Sequence, residues 1–102
     1  MGDRKELEYK FYELLGNNNV YFQPPDNVHM HYPCIVYRLD GVYNNHADNK
    51  SYHRVKRYSV THIYKDVRQE KIDEFLDTFK LINYDTRFTS DNLYHDVYTL
   101  YW

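Results

Sequence analysis

Three side chains that bind soft metal ions lie close together in the sequence, at His29, His31 and Cys34. A structural zinc site needs four ligands and usually takes a second pair at a similar spacing. The other four histidines lie singly along the chain. The pattern therefore favours surface or hydrogen-bonded histidines over a metal centre. The sequence predicts no metal and no other cofactor, although metal binding by these three residues stays open at this point.

Nucleophilic catalysis has equally little support. Cys34 falls inside a predicted strand, where a lone thiol is more often a small buried hydrophobic side chain than a nucleophile. No serine has the context of a nucleophile elbow or of a paired catalytic motif. A glycine-rich phosphate loop is excluded because the chain has only Gly2, Gly16 and Gly41. We therefore predict that the protein is not an enzyme.

The aromatic content is the feature that most needs an explanation. The 102 residues include 13 Tyr and 5 Phe, which is more aromatic surface than one small domain can bury. Tyrosine suits surfaces that become covered by another protein, because its ring is apolar and its hydroxyl forms hydrogen bonds. The basic residues concentrate between Lys50 and Lys71, whereas the charged residues of 72–102 are mainly acidic. Together these features predict a homo-oligomer with complementary charged patches.

Composition also limits the class of protein. A hydrophobic fraction of 42% is too high for a disordered chain, and the longest apolar runs are too short to cross a membrane. We expect no signal peptide and no membrane association. The single cysteine cannot form an internal disulfide, which is typical of a reducing compartment. The length predicts one domain that spans residues 1–102.

Two helices position the rest of the chain. The first is predicted from Asp3, which is a good N-cap residue with Glu6 at the capping-box position, to a stop at Gly16. The second is predicted to begin at Asp66, with Gln69 at the equivalent position. Each helix has an apolar stripe at helical spacing, consisting of Leu7, Phe11, Leu14 and Leu15 in the first and of Ile72, Phe75, Leu76 and Phe79 in the second.

The strands follow from alternating apolar and polar residues. A short edge strand is predicted at Val20–Gln23, and longer strands at Cys34–Val42, Arg57–Lys65, Leu81–Phe88 and Leu93–Trp102. The order α-β-β-β-α-β-β predicts an α+β fold with a mostly antiparallel sheet and both helices packed on one face. Residues 43–53 show no periodicity and are predicted to form a long loop at the tip of a hairpin.

This loop and its basic flank are the predicted partner-binding site. We expect the segment from Tyr43 to Lys56 to be disordered in the free subunit and to become ordered against a neighbouring protein. An alternative is a small module that binds single-stranded nucleic acid, because basic residues alternate with rings that can stack on bases. The candidate residues are Tyr43, Asn44, Asn45, His46, Lys50, Tyr52, Arg54, Lys56 and Arg57.

Three stretches of the sequence carry a resemblance to a known family. They are YPCIVYRLDG at residues 32–41, RYSVTHIYKD at residues 57–66 and LYHDVYTLYW at residues 93–102. With the order of the elements, they resemble the tail terminator and tail-completion (head–tail joining) proteins of long-tailed bacteriophages and prophages. The loop between the hairpin strands is modest, so its contacts are expected to differ from those of the family. A neighbouring neck or connector protein of similar fold stays an alternative.

The resemblance implies a structural protein of the virion. It implies a hexameric ring at the head-proximal end of the tail tube, which ends tube polymerisation and joins the tail to the head. The implied partners are the tail tube protein and the head–tail connector protein, with DNA only passing through the ring lumen. The implied location is the tail or neck of the virion, and the host cytoplasm during assembly. The family has no catalytic residues, and the resemblance transfers none to this chain.

Overall fold

The fold is known from a computed structural model that describes residues 3–46 and 52–102. The strands form one five-stranded sheet in the order β1-β2-β3-β5-β4. The α+β class and the order of elements predicted from the sequence are confirmed. In chain order the elements are α1 (Arg4–Leu15), β1 (Val20–Phe22), β2 (Cys34–His46), β3 (Tyr52–Tyr64), a short 3-10 helix (Val67–Gln69), α2 (Ile72–Thr78), β4 (Ile82–Ser90) and β5 (Leu93–Tyr101).

The sheet is mixed, so the expectation of a mostly antiparallel sheet is corrected. β1 runs parallel to β2, with Val20 opposite Ile35 and Phe22 opposite Tyr37. The other neighbouring strands are antiparallel. The parallel pair arises because residues 23–33 return the chain to the end of the sheet at which β1 began. A parallel pair needs such a crossover, and a tight hairpin cannot provide it.

The helix α1 forms as its sequence predicts. The Asp3 carboxylate accepts a hydrogen bond from the amide of Glu6 at 3.0 Å, and Gly16 ends the helix with a φ angle of 78°. That angle lies in the left-handed region, which glycine adopts without a steric penalty. Leu7, Phe11 and Leu15 are buried against the sheet.

The second predicted helix is divided into two shorter elements. Asp66 and Gln69 do form a capping box, but it closes only the 3-10 helix. Glu70 is extended, and its carboxylate accepts a hydrogen bond from the amide of Ile72 at 2.6 Å, where α2 begins. Phe75 is buried, whereas Leu76 is 39% exposed, so the prediction that Leu76 faces the core is wrong.

The main core lies between both helices and one face of the sheet. Phe11 of α1 and Phe79 of α2 approach each other with their ring centroids 5.7 Å apart. Phe75 stacks on Tyr98 of β5 at 4.4 Å. The buried members of this cluster are Leu7, Phe11, Leu15, Ile35, Tyr37, Tyr58, Val60, Phe75, Phe79, Tyr98 and Leu100.

A smaller apolar cluster lies on the opposite face of the sheet. Cys34, Ile63 and Leu93 are buried there under Met30 and Tyr32. Both of the covering residues belong to the crossover at residues 23–33. This crossover therefore protects one end of a face that the helices leave uncovered.

Both ends of the last strand, β5, are held by other parts of the chain. A two-residue turn at Asp91 and Asn92, both with positive φ, joins β4 to β5. The amide of Trp102 donates to the carbonyl of Lys56 at 2.9 Å, and the indole Nε1–H donates to the carbonyl of Asp3 at 3.0 Å. The aromatic end of the sequence is therefore attached to β3 and to the start of α1.

Two neighbouring substitutions in α2 test the packing of this helix. Replacing buried Phe75 by alanine removes a ring stacked on Tyr98 and should lower the free energy of unfolding by roughly 3–5 kcal/mol. Leu76→Ala is the matched control, and because Leu76 is exposed the loss should stay under about 1 kcal/mol. Urea unfolding measures both values. Equal losses in the two variants would show that α2 packs in a different orientation.

Candidate interface on the hairpin arm

The hairpin of β2 and β3 is longer than the sheet to which it belongs. Pairing with β1 ends at Tyr37, and pairing with β5 ends at Arg57. Five further residue pairs continue beyond that point, from Val42 opposite Lys56 to His46 opposite Tyr52. We call these residues, 42–46 and 52–56, the hairpin arm. It is a two-stranded ribbon roughly 17 Å long, at about 3.4 Å per residue.

The prediction of a loop at residues 43–53 is therefore wrong for the residues that the structure describes. Asn44, Asn45 and His46 continue β2 and pair with Arg54, His53 and Tyr52 of β3. Asparagine has a low strand propensity, which is why the pattern favoured a loop. The expectation that the segment is disordered in the free subunit is corrected for the same residues. Residues 47–51 lie outside the described part of the chain.

Arg57 fixes the arm to the sheet. Its guanidinium donates hydrogen bonds to the hydroxyl of Tyr43 and, at 3.0 Å, to the backbone carbonyl of Asp40. The Asp40 carboxylate lies 3.4 Å from Arg57 Nε. Tyr43 also packs near Tyr101 of β5, with the ring centroids 6.3 Å apart. These contacts connect β2, β3 and β5 where the arm begins.

A β-bulge marks the same position. The register shifts between Leu39 and Gly41, at the Asp40-Gly41 pair of the sequence. A Cβ atom on Gly41 would lie 3.2 Å from Arg57 Nη2, which is closer than an ordinary contact. The missing side chain thus leaves room for the guanidinium that holds the arm.

The arm exposes both apolar and basic side chains. Val42 and Tyr43 are 47% and 46% exposed, although both are large and hydrophobic. Arg54 and Lys56 are also exposed. Of the predicted partner-binding residues, Tyr43, Arg54, Lys56 and Arg57 therefore come together in or beside the arm. The backbones of Asn44, Asn45, His46 and Tyr52 belong to it, but their side chains, and all of Lys50, lie outside the described part.

The sequence analysis missed a buried polar cluster on the helix-covered face. Asp96 is fully buried, and its carboxylate lies 2.6 Å from Arg87 Nε. The hydroxyls of Tyr64 and Tyr84 donate to it at 2.7 and 3.2 Å. Burial alone would raise the pKa of Asp96, but the hydrogen bonds from Arg87 and Tyr64 outweigh burial and hold that pKa below its usual value. One signal was available in the sequence. Asp96, Tyr98 and Leu100 are every second residue of β5, so they share the face of the strand that points to the core.

His62 lies opposite Asp96 in the β3–β5 ladder and is fully buried. It packs between Tyr64 and Phe75, and neither ring nitrogen has a hydrogen-bond partner. Burial lowers the pKa of His62 to about 4, although the Asp96 carboxylate acts in the opposite direction. The imidazole is therefore neutral in the folded protein at neutral pH.

The three candidate metal ligands do not converge. The rings of His29 and His31 pack edge to face on the crossover, and both residues are exposed. Cys34 is buried, and burial raises the pKa of its thiol to about 12, so it remains protonated. Among residues 3–46 and 52–102, no three His, Cys, Asp or Glu side chains are arranged to hold a metal ion.

Comparisons with known proteins add no relative. A scan of protein-family models, a search of curated proteins and a search of solved structures each gave no match. No helix within the described ranges is long and apolar enough to span a membrane.

His62 should make the protein sensitive to mild acid. Its folded pKa lies below the value near 6.5 of an unfolded histidine, so the unfolded chain binds more protons as the pH falls from about 6.5 to 4. Stability attributable to neutral His62 should be present above this window and lost within it, by about 2 kcal/mol between pH 7 and pH 5. His62→Leu, which is similar in volume, should remove this part of the pH dependence in urea titrations.

The exposed His31 provides the matched control. His31→Leu should leave the difference in unfolding free energy between pH 7 and pH 5 as it is in the unmodified chain. If His62→Leu and His31→Leu show the same pH dependence, burial of a neutral imidazole is not the cause.

Proposed function

We propose that this protein is a structural subunit that assembles with identical copies into a ring and acts by contact rather than by catalysis. In its specific form, the ring is hexameric and lies at the head-proximal end of a bacteriophage tail tube. There it ends tube polymerisation and joins the tail to the head–tail connector protein. Its other partner is the tail tube protein, and DNA only passes through the lumen.

The hairpin arm is the observation that carries the assembly part of the proposal. An isolated two-stranded ribbon is marginally stable in water, and its outer edges offer unpaired backbone groups to another chain. Exposed Val42 and Tyr43 add apolar surface to this ribbon. A second copy that covers the arm would bury both. Ring closure needs such a contact between two different patches on neighbouring copies.

The phage part of the proposal rests on the resemblance of the three sequence stretches. The α+β fold with a five-stranded sheet is compatible with it. The arm gives the subunit a reach beyond its own core, which suits a protein that contacts a sister copy and a tube. This part is tested separately from self-assembly.

Shortening the arm tests the proposal. Deleting residues 44–46 and 52–54 together removes three residue pairs and keeps Tyr43 opposite Val55. We expect this variant to keep the melting temperature of the unmodified chain within a few degrees, because the core lies elsewhere. It should lose the ring in analytical ultracentrifugation over a range of protein concentrations. It should also fail to join purified tails to heads.

The control removes an exposed aromatic ring outside the arm. Tyr9 is 63% exposed on α1, and Tyr9→Ser should assemble as the unmodified chain does. A shortened variant that still forms the ring would contradict the role of the arm. An unmodified chain that stays monomeric at every concentration, and is absent from purified virions, would contradict the function as a whole.

A second candidate function is binding of single-stranded nucleic acid. Exposed Arg54 and Lys56 favour it, since positively charged surfaces follow the phosphate backbone of single strands. Arg57 and Tyr43 argue against it, because they are bound to each other. Titration of a single-stranded oligonucleotide at several salt concentrations decides between the functions. Phosphate contacts would give affinity that falls steeply with salt, whereas an assembly subunit should show no specific binding.

A further inference from the structure

The hairpin arm has a surface of opposite charge elsewhere on the same molecule. A groove of about 510 Å³ lies between α1 and α2 and is lined by Glu13, Leu14, Glu74 and Asp77 among others. Two lysines also line it, and one of them, Lys71, lies 3.9 Å from Glu74. Glu13 and Asp77 form no ion pair with any residue in the described ranges.

The acidic character extends along α2 beyond the groove. This helix contains Asp73, Glu74 and Asp77 and has no basic residue in its last turn. All three carboxylates belong to exposed residues. Leu14 of α1 adds an apolar side chain to the lining of the groove and packs against the main core. The helix face is therefore negatively charged at its rim and partly apolar at its base.

The arm has the complementary pattern. Residues 42–46 and 52–56 include Arg54 and Lys56 but no Asp or Glu. The Asp40 carboxylate lies 3.4 Å from Arg57 Nε where the arm begins. Val42 is opposite Lys56 in the ladder and therefore supplies exposed apolar surface on the same face of the ribbon as Arg54 and Lys56.

We infer that the arm of one copy docks into the α1–α2 groove of the next copy. Arg54 and Lys56 then face Glu13, Glu74 and Asp77, and apolar side chains of the arm cover Leu14. The two patches differ, so the contact is heterologous and can repeat around a ring. This inference rests on the proposed assembly function and names the surface that receives the arm.

A pair of charge-reversed variants tests the docking. One has a reversed arm, Arg54→Glu with Lys56→Glu, and the other a reversed groove, Glu74→Lys with Asp77→Lys. Each variant alone would bring like charges together, so each should sediment as a monomer where the unmodified chain assembles. An equimolar mixture restores opposite charges at every contact. It should recover the mass of the unmodified assembly, with the two variants alternating.

A second pair of reversals controls for net charge. Lys5→Glu with Lys65→Glu changes the same number of exposed cations outside the arm and should leave assembly unchanged. Circular dichroism and thermal unfolding establish that every variant is folded. Added salt should weaken the unmodified assembly, because exposed charges are largely screened beyond about 8 Å at 0.15 M.

The outcomes separate this inference from the proposed function. If the reversed arm abolishes assembly but the reversed groove does not, the arm docks elsewhere, and the inference falls while the proposed function stands. The same holds if both variants fail alone and the mixture does not assemble. If the shortened arm and both reversed variants assemble like the unmodified chain, both ideas are overturned.

Discussion

The antiparallel ladder between β2 and β3 is the interaction on which the rest of the structure depends. It contains twelve residue pairs, from Cys34 opposite Ile63 to His46 opposite Tyr52. The first seven lie within the sheet, where Tyr37, Tyr58 and Val60 form the floor on which both helices pack. The last five form the arm. One continuous pairing therefore builds the core and also extends beyond it, so the direction of the arm is fixed by the same register that buries the core.

Arg57 stands where these two parts of the ladder meet. Its contacts with Asp40 and Tyr43 hold the bulged strand against its partner at the last position that β5 still supports. An arm held in this way has less freedom to lose when it binds, which lowers the entropic cost of association. In the proposed docking, Tyr43 and Arg57 thus act chiefly by positioning the arm. Arg54 and Lys56 are exposed and give the arm its positive charge.

Local rules account for the features that the sequence predicts correctly. The Asp3 cap, the stripe of α1 and the Gly16 stop act within a few residues, so a single sequence contains them. The alternation of Tyr58, Val60, His62 and Tyr64 in β3 is local as well. The second predicted helix is divided where Glu70 is extended. The parallel β1 and the arm depend on pairing between distant segments. The polar cluster has the same origin, because Tyr64, Arg87 and Asp96 come from three strands that only the register brings together. Asn44 and Asn45 form strand despite their propensity because β3 pairs with them.

The buried charge of Asp96 and the exposed charges of the arm and of α2 differ in how strongly solvent screens them. This difference suits the proposed subunit, which folds first and assembles later. Asp96 is fully buried and hydrogen-bonded by Arg87 and two tyrosines, so added salt has little effect on it. Its removal would leave the hydroxyl of the buried Tyr64 without its acceptor, which is destabilising. The cations of the arm and the carboxylates of α2 are exposed, and salt weakens their attraction. Ionic strength should therefore separate copies without unfolding them. Mild acid acts in the opposite manner, since it protonates His62 in the unfolded chain and so shifts the folding equilibrium itself. In the proposed assembly, docking and folding would thus respond to different solution conditions because their charges lie in different surroundings.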